Sequence, residues 1–377
     1  MFRSCRIIFL LFLFSSTCCF SKTSRQFEVT GYVFTRGTVL APGQVDASRL
    51  TRINYAFSNI ESGRMVLGAP SDAQNFAVLR SMRVSNPDLT VLVSVGGWLW
   101  STNFSDVCLT AESRRVFEDS VMEFLRQYDL DGLDIDWEYP GMPGAGHPFR
   151  PEDKQNFTSL VRELRARFDA DARKTRRRLY LTIAMGASDD VLAHTEMREV
   201  QKYVDTVNLM TYDYYEAGSD AITGHHAPLF ANPADPKSAS SDATVRAFEK
   251  AGVPAARILL GVPFYGREFG EVPDVNHGLF QPGKAVPGAN AQYGAIKSNM
   301  LGQGFTRYWD DAAKAPYLYN ADQHIFVTYE DPESLKLKCK YVRDHKLGGV
   351  MFWEYFGDPA GTLLQTIDSE LNVHGSN

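Results

Sequence analysis

In Asp131-Gly132-Leu133-Asp134-Ile135-Asp136-Trp137-Glu138-Tyr139-Pro140, four carboxylates fall within eight residues of an otherwise apolar segment. Side chains on a β-strand alternate between faces, so Asp134, Asp136 and Glu138 share one face and Leu133, Ile135 and Trp137 the other. Large apolar residues on the second face exclude a solvated acidic edge. Three acids on one face of a buried strand repel one another and are costly to desolvate. At least one is therefore expected to hold a proton at neutral pH. A protonated carboxyl beside ionised neighbours is what a general acid requires. A metal site is the alternative, although no histidine interleaves with these acids. Asp131 is out of phase with the other three and is expected to serve the start of the strand.

The same kind of apolar, β-branched run recurs along the chain. Strands are predicted at Phe27–Val33, Ile53–Ser58, Thr90–Val95, Gly132–Trp137, Leu179–Ala184, Thr206–Met210, Ile258–Pro263 and Gly348–Trp353. Helical spacing of apolar residues fills several gaps, over Ala73–Val84, Glu112–Tyr128 and Asp153–Phe168. Eight strands alternating with helices point to a closed (β/α)8 TIM barrel or a doubly wound sheet, and the count of eight favours the barrel. Between Tyr265 and about Asp331 the helical pattern gives way to Gly, Pro, Asn and aromatic residues. A structureless loop of that length is improbable in a compact domain, so residues 267–330 are expected to fold as a unit of their own.

Composition is that of an ordinary soluble protein, with 44% hydrophobic and 22% charged residues and a net charge of −6. That charge argues against nucleic acid as a partner. Arg3 and Arg6 followed by the apolar run Ile7 to Phe14 form a signal-peptide layout, assigned to residues 1–21, and the run is too short to span a bilayer. Residues 22–377 are then the mature chain, expected to be secreted, extracellular and monomeric, without a membrane anchor. Two of the five cysteines, Cys108 and Cys339, lie beyond that segment and are expected to be free and buried. No ligand-spaced histidine pattern and no phosphate-cradling loop is present, so neither a metal nor a cofactor is expected; His225-His226 reads as a loop dipeptide.

The acidic segment resembles the Asp-x-x-Asp-x-Asp-x-Glu signature of glycoside hydrolase family 18, the chitinases and their relatives. Ser94-Val95-Gly96-Gly97, Met210-Thr211-Tyr212-Asp213-Tyr214 and Gly349-Val350-Met351-Phe352-Trp353-Glu354 are similar to three further motifs of that family, in the same order. The resemblance implies a (β/α)8 barrel with a small α+β insertion between strands seven and eight. It implies retaining, substrate-assisted hydrolysis of β-1,4-linked N-acetylglucosamine polymers such as chitin. A sugar-binding lectin, or an enzyme on N-glycans or peptidoglycan, are the alternatives within the family. The presence of Glu138 speaks against the lectin.

By the same resemblance Glu138 is the proton donor, Asp136 and Tyr212 position the 2-acetamido group, and Asp134 holds or shares a proton behind Asp136. Trp353 is the floor of the reacting sugar's subsite, while Asp213, Met210 and Arg267 contact sugar. Trp98 and Trp100 line neighbouring subsites or cap the strand end. Tyr55, Phe57 and Met185 resemble pocket-lining positions, with core packing the competing reading. Tyr212 competes with a structural barrel tyrosine, Trp353 with a core tryptophan and Arg267 with a surface arginine. Ser94 and its glycines are read as structural, the hydroxyl satisfying a buried acid.

Overall fold

The computed structural model describes residues 27–371, so the segment assigned as a signal peptide lies outside the described residues. Strands run in chain order as β1 (Glu28–Phe34), β2 (Arg52–Glu61), β3 (Arg64–Val66), β4 (Thr90–Gly96), β5 (Gly132–Asp136), β6 (Tyr180–Gly186), β7 (Thr206–Met210) and β8 (Ile258–Pro263). They continue as β9 (Arg267–Gly270), β10 (Lys284–Ala285), β11 (Thr306–Asp310), β12 (Ala315–Asn320), β13 (Ile325–Thr328) and β14 (Gly349–Trp353). Eight of them pair in parallel in the order β1, β14, β8, β7, β6, β5, β4, β2, and β2 returns to β1 to close the barrel. Strand β3 only extends β2 as a hairpin.

Period-two alternation places two different sets of side chains on the barrel wall. Leu133, Ile135 and Trp137 face outward into the main hydrophobic core. There the helix Asp153–Thr175 lays down Phe157, Leu160, Val161, Leu164 and Phe168, spaced for one face of a 3.6-residue helix. Each such side chain contributes about 1.5–3 kcal/mol on full burial. The inner face is polar at mid-height. Asp134 is fully enclosed there and accepts hydrogen bonds from Tyr32 Oη at 2.9 Å, Ser94 Oγ at 2.8 Å, Asn208 Nδ2 at 3.3 Å and the Thr182 hydroxyl. Five strands thus converge on one buried carboxylate. Asp131 lies at the opposite end, where it accepts from Val91 N and Arg177, each at 2.8 Å, and pairs with Arg83.

Between β8 and β14 the chain forms a five-stranded antiparallel sheet, ordered β10, β9, β13, β12, β11, with the helix Tyr293–Asn299 beside it. Alternation again sorts its side chains. Tyr317, Tyr319 and Phe326 pack with Phe269, Val272 and Leu279, and also with Tyr215 from the segment after β7. The intervening Leu318 and Val327 turn the other way and join the barrel's core. Both faces of this sheet are therefore covered, one of them by the barrel itself.

Cys108 and Cys339 are free and buried. In denaturant without reductant both are expected to take up a thiol reagent, and in the folded protein neither. A non-reducing peptide map that showed them joined would contradict this.

Candidate active site

Barrel enzymes carry their chemistry at the C-terminal ends of the strands, and here β5 delivers Asp136 and Glu138 to that end. Asp136 is buried, and its Oδ1 has no hydrogen-bond partner. Burial, followed by the negative charges of Glu138 and Asp134, pushes its carboxyl well up. Glu138 is 9% exposed, and burial first, opposed by a hydrogen bond with Tyr139 and reinforced by the charge of Asp213, pushes it up to about 7. Asp134 is raised by burial too, while its hydroxyl donors pull it back. One strand thus carries three carboxyls of raised proton affinity, the condition that Coulomb repulsion in a desolvated site imposes.

The turn after β4 lets these acids fit. Gly96 and Gly97 have φ of 106° and 84°, and a Cβ on Gly96 would lie 2.3 Å from the carbonyl oxygen of Asp136. Only glycine allows that approach. The chain then sets an exposed Trp98 and a half-buried Trp100 along a cleft of about 1230 Å³.

Aromatic side chains form much of the cleft wall. Trp353, at the end of β14, stacks on Phe57 with ring centroids 5.5 Å apart and 25° between planes. It also touches Tyr32 and Phe34, each at 5.8 Å. Its face is a broad apolar plate of the kind that C–H faces of a sugar ring stack against. Tyr212 and Met210 border the same plate from the end of β7. Burial, then the negative charges of Asp136 and Asp213, push the Tyr212 phenol well above its ordinary range, so it carries its proton and can donate it in a hydrogen bond.

Asp213 is the hub of the opposite wall. Arg267 forks onto it, Nε to Oδ1 at 2.8 Å and Nη2 to Oδ2 at 2.8 Å, and Tyr265 Oη donates to Oδ2 at 2.7 Å. Arg267 also reaches Glu216 at 3.1 Å. Burial alone would raise the Asp213 carboxyl, but His226 and Arg267 outweigh it and hold the group well below the usual range. His226 is fully buried with its Nδ1 3.6 Å from Asp213, and burial pushes its imidazole down to about 4, so it is neutral at pH 7.

The cleft therefore brings together Glu138, Asp136, Tyr212, Asp213, Met210, Arg267, Trp353, Trp98 and Phe57, with Asp134 directly beneath. For Tyr55 and Met185, of the two readings left open, the structure shows core packing and not the pocket. Tyr55 is wholly buried on the outer side, its hydroxyl donating to Asp72 at 2.6 Å and its ring against Phe76. Its pairing register with β4 shifts between Tyr55 and Ser58, so Tyr55 and Phe57 do not share a face as simple alternation requires. Met185 is likewise in the core, because Thr182, Ala184 and Gly186 take the inward positions of β6. The site also holds four residues beyond those expected from the sequence, Tyr139, Tyr265, Glu216 and His226. Tyr139 and Tyr265 stand beside Glu138 and in the Tyr265-Gly266-Arg267 string, which was the signal available. His226 gave none, since adjacent histidines in a loop look alike while only one is buried against Asp213.

If Glu138 acts as a general acid, a carboxyl at about 7 sets the alkaline limb of the rate profile. Glu138 donates only while protonated, so kcat/KM should hold below pH 7 and fall above it. The negative charge of Asp213 raises Glu138, so Asp213→Asn should shift that limb to lower pH. A limb that stays in place or moves upward in the variant would show that Asp213 does not act on Glu138.

Acid–base carboxyls and aromatic plates at the strand ends of a parallel barrel define the class of sugar-processing barrel hydrolases. The chain belongs to glycosyl hydrolases family 18, whose model matches residues 26–358. It is 36% identical to chitinase A1 of Niallia circulans over 88% of this chain and 56% of that protein, so it spans little more than half of that relative's length. Among solved structures it is similar to chitinase ChiA74 from Bacillus thuringiensis, with TM-score 0.88 and 32% identity over 93% of this chain and 70% of that one. It is also similar to a glycoside hydrolase family 18 N-acetylglucosaminidase from Paenibacillus barengoltzii, with TM-score 0.83 and 40% identity over 91% and 99%.

Proposed function

We propose that the chain is a secreted glycosidase that hydrolyses β-1,4-linked N-acetylglucosamine polymers, chitin above all, by substrate-assisted catalysis with retention. The observation that carries the reading is Glu138, a nearly buried carboxyl pushed up to about 7 at a strand end inside the cleft. In the first step Glu138 gives its proton to the glycosidic oxygen as that bond breaks. The carbonyl oxygen of the substrate's own 2-acetamido group closes on the anomeric carbon. Asp136, with its unpartnered oxygen, takes the acetamido N–H, and Tyr212 donates to the acetamido carbonyl. In the second step water adds to the anomeric carbon and gives a proton back to Glu138, reopening the ring. Two inversions at one carbon give net retention.

Two of the three acids beside Glu138 are not free to act as an external nucleophile, and the third, Asp136, is the one assigned to the acetamido N–H. Both oxygens of Asp213 are engaged by Arg267 and Tyr265, and Asp134 is closed off by four donors. Among the described residues no group of three or more His, Cys, Asp or Glu side chains is placed to hold a metal, and no helix is long and apolar enough to cross a membrane. Secretion rests on the N-terminal segment of the sequence. Digesting N-acetylglucosamine oligomers and separating the products tests the activity; intact oligomers would refute it. A second reading is release of single N-acetylglucosamine units, favoured by the likeness to the Paenibacillus N-acetylglucosaminidase over 99% of that protein. The monomer as the first product would select it.

A further inference from the structure

We propose that the pole of the barrel opposite the cleft is a binding surface for an anionic polysaccharide. Arg173-Lys174-Thr175-Arg176-Arg177-Arg178 places five cations in six residues with no acid among them, in a chain of net charge −6. Arg177 is spent on Asp129 and Asp131, and Arg178 on Asp205. Arg173, Lys174 and Arg176 are exposed, and among the described residues no carboxylate lies within ion-pair distance of them. Arg176 ends the helix Asp153–Thr175 in the left-handed conformation, with φ of 62°, and turns the chain toward the start of β6. The stretch is thereby fixed at the N-terminal end of the barrel strands, across the full height of the barrel from Glu138.

A hollow of about 240 Å³ lies beside this stretch, lined by Arg165, Ala172, Arg178, Lys202, Tyr203 and Arg257 among others. Ala172 stands one turn before Arg176 and accepts its backbone N–H at 2.9 Å, so hollow and stretch share a helix end. Asp169 and Asp205, also at the hollow, are taken by Arg165 and Arg178. Arg257 holds only the backbone carbonyl and side-chain amide oxygen of Gln201. Lys202 is paired with Glu199, so among the described residues the cations left without a carboxylate partner are Arg257 in the hollow and Arg173, Lys174 and Arg176 along the stretch. Excess positive charge drawn out along a surface matches a polymer of repeated negative charge better than a single ion. Tyr203 in the hollow adds an aromatic face for a sugar ring.

The test is retention on heparin-agarose at pH 7 in about 0.1 M salt, where charges are screened beyond roughly 10 Å. A protein of net negative charge should pass through such a column unless one face is locally basic. The expected result is retention of the unaltered protein, and passage in the void of the variant carrying Arg173→Glu, Lys174→Glu and Arg176→Glu, with its melting temperature and its cleavage of soluble oligomers unchanged. Immobilised polygalacturonate, run in parallel, tells carboxylate from sulfate recognition, and retention on either supports the surface. Passage of the unaltered protein through both columns overturns the proposal. So does equal retention of the variant, or retention on duplex DNA alone.

Discussion

Replacing Glu138 by Gln is expected to cut kcat by about 10²–10⁴-fold, the usual contribution of a general acid, while oligosaccharide affinity stays within about an order of magnitude. The amide keeps the shape of the carboxyl and its place at the end of β5, but it has no proton to give. The surroundings of Glu138 set the scale. Burial holds the carboxyl up to about 7, so about half of the native protein carries this proton at pH 7, where an ordinary carboxyl would be almost wholly ionised. The proposed function assigns binding to other groups, chiefly the Trp353 plate and the Asp213–Arg267 pair, which the substitution leaves in place. Steady-state kinetics with isothermal titration on the same oligomer separates the two effects. A variant retaining more than about a hundredth of native kcat would remove Glu138 from the role of acid.

Lys338→Met should be the most damaging single change outside the cleft. Lys338 and Glu330 form an ion pair with side chains 0% and 1% exposed, and Lys338 also donates to the Ala227 carbonyl at 2.7 Å. Burial raises the Glu330 carboxyl, and the Lys338 ammonium and the Ser334 hydroxyl only partly offset it. Removing one member of a buried pair strands the other, at a cost of about 3–5 kcal/mol. The pair joins the helix Pro332–Asp344 to the segment 224–229 that holds His226 behind Asp213. Urea unfolding would read the loss directly. Glu330→Gln added to Lys338→Met should restore a substantial part of it, since a neutral amide costs less to bury than a charge. A single variant as stable as the native protein would mean that the pair is held for some reason other than stability.

The barrel was legible because its strands are buried on both faces and announce themselves as apolar runs; all eight start and stop within a few residues of their expected places. The acids of β5 were legible for the opposite reason, since polar residues interrupting such a run need a cause. Alternation failed where the strand itself is irregular. Tyr55 and Phe57 are two apart in sequence, yet a register shift separates them, and no residue type in Asn54-Tyr55-Ala56-Phe57 marks it. Met185 differs in another way: the resemblance points to the pocket, but the inward positions of β6 are taken by Thr182, Ala184 and Gly186, which leaves Met185 to core packing, the competing reading. Small residues lining the cleft leave room for a ligand and carry little signal of their own. His226 shows a third limit. Its place against Asp213 depends on a contact between two loops, which local sequence does not encode.

The central claim is that the reacting group is supplied by the substrate. Proton NMR during the first minutes of digestion of an N-acetylglucosamine oligomer reads the configuration of each newly formed reducing end before it mutarotates. The β anomer should appear first, because the acetamido oxygen and then water each invert the same carbon. Initial appearance of the α anomer would contradict the account and return the search to a second carboxylate.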